Sequence, residues 1–239
     1  MRTIKTLFIV ILTSLIGLQV SAVNGKSDKT ETRQVSNFKG IKVSTGIDLY
    51  ITMGTTEEVK IVADDDLIDN IITEVKDGTL RIYTKQSNWF NWNSGNQTRK
   101  AYVTVKEIEL IEASSGSDVK SENTLKGEDL NVRTSSGSDV EIDVYYKNVW
   151  VDASSGSDAK LTGKVKTLNA NASSGSDIKA QDLVSSVCKV NVSSGSDATV
   201  NVTDELYANA SSGADVMYFG NPQVKDIDES SGGDVSQRK

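Results

Sequence analysis

The word ASSGSD occupies residues 113–118. Close copies return as TSSGSD at 134–139, ASSGSD at 153–158 and 172–177, VSSGSD at 192–197, ASSGAD at 210–215 and ESSGGD at 229–234. Their central glycines are Gly116, Gly137, Gly156, Gly175, Gly195, Gly213 and Gly232, which follow one another at steps of 21, 19, 19, 20, 18 and 19 residues. A flexible linker has no reason to keep such a beat. A solenoid does, because each turn buries its apolar face only against the next.

The residues between the words set the secondary structure. Seven, five and three positions before each Gly stand Leu130, Val132, Thr134; Val149, Val151, Ala153; Leu168, Ala170, Ala172; Cys188, Val190, Val192; and Leu206, Ala208, Ala210. Polar residues such as Asn131, Asp152, Asn171 and Asn191 fall between them. Alternation with period two marks a strand with one buried face. After the Gly the same face resumes, as in Val140 with Ile142, Ile178 with Ala180, and Val216 with Tyr218. Each turn therefore reads as strand, SSGSD corner, strand and a looser stretch. The expected fold is all-β, a single-stranded β-helix with coils of about 19 residues.

At the corner, Gly admits a backbone angle closed to other residues. The Asp is expected to cap the corner as an Asx turn, with Ser hydroxyls in support. Cys188 holds a Leu-like inward position, that of a small buried hydrophobe. The inward positions of the last word carry Lys225, Ile227 and Glu229. That suits a terminal coil with no neighbour to cover it.

Residues 35–108 keep β character with a weaker beat. STGID at 44–48 is a degenerate copy of the word. Asp77-Gly78 between two alternating runs is a hairpin signal, and Asp64-Asp65-Asp66 suits the start of one helical turn. Upstream, Arg2 and Lys5 precede an apolar run over Leu7–Leu18 and a small-residue site at Val20-Ser21-Ala22, the pattern of a secretory signal. The expected division is a signal peptide at 1–22, a flexible mature N-terminus at 23–34 and irregular β coils and hairpins at 35–108. Regular repeats follow at 109–220, with a polar cap and tail at 221–239. No membrane span is expected once the signal is cleaved, and the destination is the periplasm, the outer surface or the medium.

Composition narrows the chemistry. The 239 residues contain no His and one Cys, which removes the usual parts of Ser-His-Asp, Cys-His and zinc sites. Loss of Arg2 and Lys5 takes the net charge from −7 to −9, which disfavours nucleic acid as a partner. No catalytic or cofactor-binding set is assigned. Three constellations remain. One is the outward set Asn169, Asn171, Asn191 and Asn209, read either as stabilising side-chain hydrogen-bond ladders or, with Asp and Ser, as a flat face for glycans. Asp118, Asp139, Asp158, Asp177, Asp197 and Asp215 form a ladder one carboxylate per coil, with Asp234 in the cap. Its first reading is corner capping. The other is a Ca²⁺ array in the manner of calcium β-rolls. Trp89, Phe90 and Trp92 lie in the polar stretch NWFNWNSGN at 88–96. There they serve either as ligand-stacking rings or as a cover for an open end of the coil.

Three stretches resemble a known family: FKGIKVSTGIDLYITMG at 38–54, VKIVADDDLIDNIITEVKDGTLRIYT at 59–84 and the SSGSD words. Together they resemble the auto-transporter adhesin head domain, or GIN domain, of secreted Bacteroidetes proteins. The resemblance implies export and a β-helical fold, and brings no catalytic residues with it. The expected role is a non-enzymatic envelope module that binds a partner, a glycan or an envelope protein, or serves structurally, by presenting a rigid adhesin-like surface. The alternatives are a polysaccharide-processing β-helix enzyme and a calcium-binding β-roll-like module.

Overall fold

The computed structural model describes residues 28–85 and 97–239. Its regular structure is β throughout, except for one 3-10 turn at Ile68–Asn70. Among the described residues, seventeen strands join a single sheet that coils into a β-solenoid.

The regular half is built by β10 (Leu125–Ser135), β11 (Asp139–Ser154), β12 (Asp158–Ser173), β13 (Asp177–Ser193) and β14 (Asp197–Ser211), each parallel to the next. The register aligns the words: Asp139 pairs with Asp158, Asp158 with Asp177, Asp177 with Asp197 and Asp197 with Asp215. Side chains of one row therefore stack at roughly 4.8 Å per coil. Alternation sends Leu168, Ala170 and Ala172 inward to at most 3% exposure, while Asn171 faces out. One inward row runs Val151, Ala170, Val190, Ala208, so large and small side chains alternate from coil to coil within a narrow interior. Burying a side chain such as Leu168 fully contributes about 1.5–3 kcal/mol.

In the regular coils the looser stretch is not loose. Through β11 to β14 the chain runs from one word to the next as an unbroken strand, 16 residues in β12 and 17 in β13, whereas the coils at either end break at residues 122–124 and 220–223. It bends by slipping phase: in β12 the inward residues are Ala159, Leu161 and Val165, then Leu168, Ala170 and Ala172. The ladder survives the bend because backbone groups keep partners in the adjacent coil. The steps of 20 and 18 residues are absorbed as irregularities between Lys160 and Thr162 and between Ala180 and Val184.

Cys188 is fully buried in this core, and burial pushes its thiol up to about 12. Thiolate is the reactive form. The native protein is therefore expected to leave a chromogenic disulfide reagent unreacted at pH 8 and to release one equivalent on unfolding. Rapid native release would place the thiol near solvent.

The N-terminal half joins the same stack in a different order. β2 (Gly40–Ser44) and β3 (Asp48–Met53) flank a corner at Thr45-Gly46 and lie against β8 (Leu110–Ser114) and β9 (Val119–Ser121). Between them in sequence, the chain runs outward through β4 (Glu58–Asp64). It then makes a hairpin of β5 (Ile71–Lys76) and β6 (Thr79–Thr84) and returns along β7 (Arg99–Val105). β6 lies parallel to β2 and β7 parallel to β3, on the side away from β8 and β9. The first coil in sequence is thus second in the stack. Asp77 and Gly78 have φ of 50° and 70°, the two left-handed residues that a tight hairpin turn needs. The acidic run ends in a turn, with Leu67 N–H donating to Asp64 C=O before Ile68–Asn70.

Residues 23–34 were expected to be flexible, but Asp28–Arg33 form β1, antiparallel to β4. The free edge of β4 presents unpaired backbone groups, and β1 satisfies them. The Arg33 guanidinium adds a bond from Nη2 to Ile68 C=O at 3.0 Å. At the other end, β15 (Asp215–Phe219) is followed by β16 (Val224–Ser230) and β17 (Asp234–Gln237). Every residue of β16 is exposed.

Candidate functional site

The corners come first because they fix everything beside them. Gly116, Gly137, Gly156, Gly175, Gly195 and Gly213 have φ between 63° and 70°. The Ser before each Gly is left-handed as well, with φ from 55° to 59° at Ser115, Ser136, Ser155, Ser174, Ser194 and Ser212. Two consecutive left-handed residues reverse a strand sharply. Corners also bond to one another: Gly156 N–H donates to Ser174 C=O and Gly175 N–H to Ser194 C=O, both at 3.2 Å.

The carboxylate was expected to close the corner, and the structure gives that task to the serine before it. Ser117, Ser138, Ser157, Ser176 and Ser196 are all fully buried. Ser176 Oγ accepts from Ser173 N–H at 3.1 Å and lies 2.9 Å from the carbonyls of both Ser173 and Ala153. Ser157 and Ser196 repeat the pattern with Ser154 and Ser193. The signal was present in the alternation, since the position after Gly has the same parity as the inward positions that follow. Ile47 and Ala214, both buried, fill it in STGID and ASSGAD.

The Asp ladder points outward instead. Asp139 Oδ1 accepts from Asp158 N–H and Asp197 Oδ1 from Asp215 N–H, each at 3.3 Å. Lys179 Nζ lies 2.6 Å from Asp158 and 3.6 Å from Asp177, and these carboxylates hold the Lys179 pKa above its ordinary value. The neighbouring outward row is charged too: Glu141 pairs with Lys120 at 3.4 Å and Lys160 at 2.9 Å. Among the described residues, no three acidic, thiol or imidazole groups converge as a cation site would need. Trp89, Phe90 and Trp92 lie outside the described residues.

The opposite outer face carries a hollow of about 340 Å³ beside the corners of β11 to β14. Asp152, Asn171, Asn191 and Asn209 stand in one row, with Ser154, Ser173, Ser193 and Ser211 alongside. Asn171 Nδ2 donates to Asp152 Oδ1 at 2.8 Å, and Asn191 Nδ2 to Asn171 Oδ1 at 3.1 Å. A second hollow, of about 810 Å³, adds Lys189, Tyr207, Asp226 and Asp228. Tyr207 OH lies 2.9 Å from Glu205 Oε2, which raises the phenol pKa, and Lys189 Nζ sits 5.8 Å from the ring centre. Alternation alone places these asparagines outward, and the depression they line arises only from the stacking of the coils.

A family model described as "Putative auto-transporter adhesin, head GIN domain" matches residues 37–222. The chain belongs to this family. The GIN-domain match begins just before β2 and ends before β16, so β1 and the terminal cap strands lie beyond it. No curated protein matches the chain.

Solved structures share the GIN fold. A putative adhesin from Bacteroides fragilis superposes with a TM-score of 0.83 at 22% identity, covering 90% of this chain and 98% of its own. A putative adhesin from Parabacteroides merdae gives 0.73 at 17% identity, with the same coverage of both chains. A protein from Parabacteroides distasonis titled a putative lipid binding protein gives 0.67 at 20%, again with 90% and 98% covered. At these identities the likeness establishes the fold.

Proposed function

We propose that the protein is an exported, non-enzymatic binding module of the cell envelope, presenting a rigid β-helical face to a ligand. The observation that carries this reading is the amide-lined hollow on one face of an otherwise continuous stack. Its walls are strands held by neighbouring coils on both sides, so the surface is formed before any ligand arrives. Membership of a family described as adhesin heads supports the same role.

The distribution of acid groups supports binding over hydrolysis. Glycoside hydrolysis needs two carboxyl groups flanking one scissile bond, one of them held protonated. Here the ladder carboxylates repeat one per coil, and Lys179 bridges Asp158 and Asp177.

Two measurements test the reading. Purified protein is expected to bind isolated envelope fractions saturably, and absence of saturable binding would sink it. Export is tested by mass spectrometry of the secreted chain, which is expected to begin at Val23. Detection of Met1 in that chain would mean the leader is retained.

A further inference from the structure

We propose that the hollow over β11 to β14 binds an extended, uncharged polysaccharide strand laid along the stacking axis. This rests on the reading of the protein as a binding module and specifies the ligand.

The first ground is a change of charge within one row. From the N-terminal end of the stack, the row that contains the asparagines runs Arg81, Lys42, Glu112, Arg133 and Asp152. It continues with Asn171, Asn191 and Asn209 before ending at Asp228. Within its charged part Lys42 pairs with Glu112 at 2.6 Å and Arg133 with Asp152 at 3.8 Å. Only the middle coils present neutral amides. On the other outer face, nearby coils carry the paired Lys120, Glu141, Lys160 and Lys179. A charged polymer would find its counter-ions on that face, and the amide strip suits a neutral one.

The second ground is chemistry. A sugar hydroxyl both donates and accepts hydrogen bonds. A primary amide offers two donors and a carbonyl with two lone pairs. The bonds within the Asp152–Asn171–Asn191 ladder use part of that capacity and hold the side chains in line. Beside them runs a second outward row: Trp150, Asn169, Lys189, Tyr207. Trp150 is 36% exposed, and Tyr207 stands three coils away, roughly 14 Å along the axis at the usual strand spacing. Aromatic rings flanking polar groups are the usual dressing of a sugar site.

The third ground is direction. Across the axis the surface chemistry changes with every row, whereas along it Asn follows Asn and Ser follows Ser. A periodic groove fits a periodic ligand. An extended peptide would need an unpaired strand edge for its backbone, and these coils are paired on both sides.

The test is affinity electrophoresis of the mature chain through gels containing a neutral β-glucan, a neutral galactomannan or anionic polygalacturonate. At least one neutral polymer is expected to retard the protein. Tyr207→Ala, and the triple variant Asn171→Ala, Asn191→Ala, Asn209→Ala, are each expected to weaken retardation about tenfold. Lys160→Ser with Lys179→Ser, on the other face, should leave it unchanged. Circular dichroism confirms folding. Should the triple variant unfold, Tyr207→Ala, outside the amide ladder, still decides. Retardation by polygalacturonate alone, neutral binding undiminished in the folded variants, or no retardation by any polymer overturns the proposal. Envelope binding that survives periodate but is lost to protease would overturn the glycan ligand while leaving the binding module in place. Loss of both bindings would remove both.

Discussion

Gly163→Ala is expected to destabilise the folded chain by about 3–5 kcal/mol. Gly163 lies inside β12 with φ of 110°, beyond the left-handed well that other residues visit. A Cβ there would sit 2.1 Å from Val144 C=O and 3.0 Å from Asp143 Oδ1. Val144 is paired with Gly163 in the parallel ladder, so the offending oxygen cannot move without opening the coil. Gly175 makes the contrast. Its φ is 67°, and a Cβ there would meet nothing within 4 Å. Gly175→Ala is therefore left with backbone strain of about 1–2 kcal/mol, partly offset by the reduced freedom of the unfolded chain. Thermal unfolding followed by circular dichroism should show Tm lower by about 10 °C for Gly163→Ala and by much less for Gly175→Ala. Similar melting of the two variants would mean that the bend relaxes around the methyl group.

That difference marks where the sequence speaks and where it stops. The repeat and the alternation of Leu168, Ala170 and Ala172 are local patterns with a direct structural meaning, so coil length, inward face and corner position could all be read from the chain. Gly163 carries no such pattern. It lies between the inward Leu161 and Val165, just ahead of the phase slip that leads to Leu168, and only contact with the neighbouring coil shows why a side chain is barred. The placing of β2 and β3 between β6–β7 and β8–β9 was hidden for a similar reason. Each of those strands reads equally well beside several others, and the choice is made by which edges remain open once the hairpin has formed. The amide face was half legible. Asn171, Asn191 and Asn209 were visible as outward residues. The hollow itself, and the confinement of uncharged side chains to the middle coils, depend on a register that only the folded stack displays.

The repeated word leads to the second large effect. Ser176→Ala is expected to cost about 2 kcal/mol, and Asp177→Ala, next door, about half a kcal/mol. Ser176 is fully enclosed, and its hydroxyl serves Ser173 N–H together with the carbonyls of Ser173 and Ala153. Alanine removes those bonds in a place that water does not reach, the situation in which a lost hydrogen bond is most costly. Steric change contributes little, because Ala214 occupies the same place in the sixth word and is equally buried. The Asp177 carboxylate is partly exposed and meets Lys179 at 3.6 Å, a surface pair that solvent screens. The same comparison bears on calcium. A cation held by the ladder would stabilise the native state by about 2.7 kcal/mol per site at a hundredfold excess over Kd. Asp177→Ala would then be the damaging change, and only in the presence of the ion. The expected result is the reverse: a larger loss at Ser176, the same with millimolar Ca²⁺ or with chelator, and no rise in Tm beyond that produced by Mg²⁺ at equal ionic strength. A calcium-specific rise in Tm that disappears in Asp177→Asn would transfer the function of the repeated word from its buried hydroxyl to its exposed carboxylate.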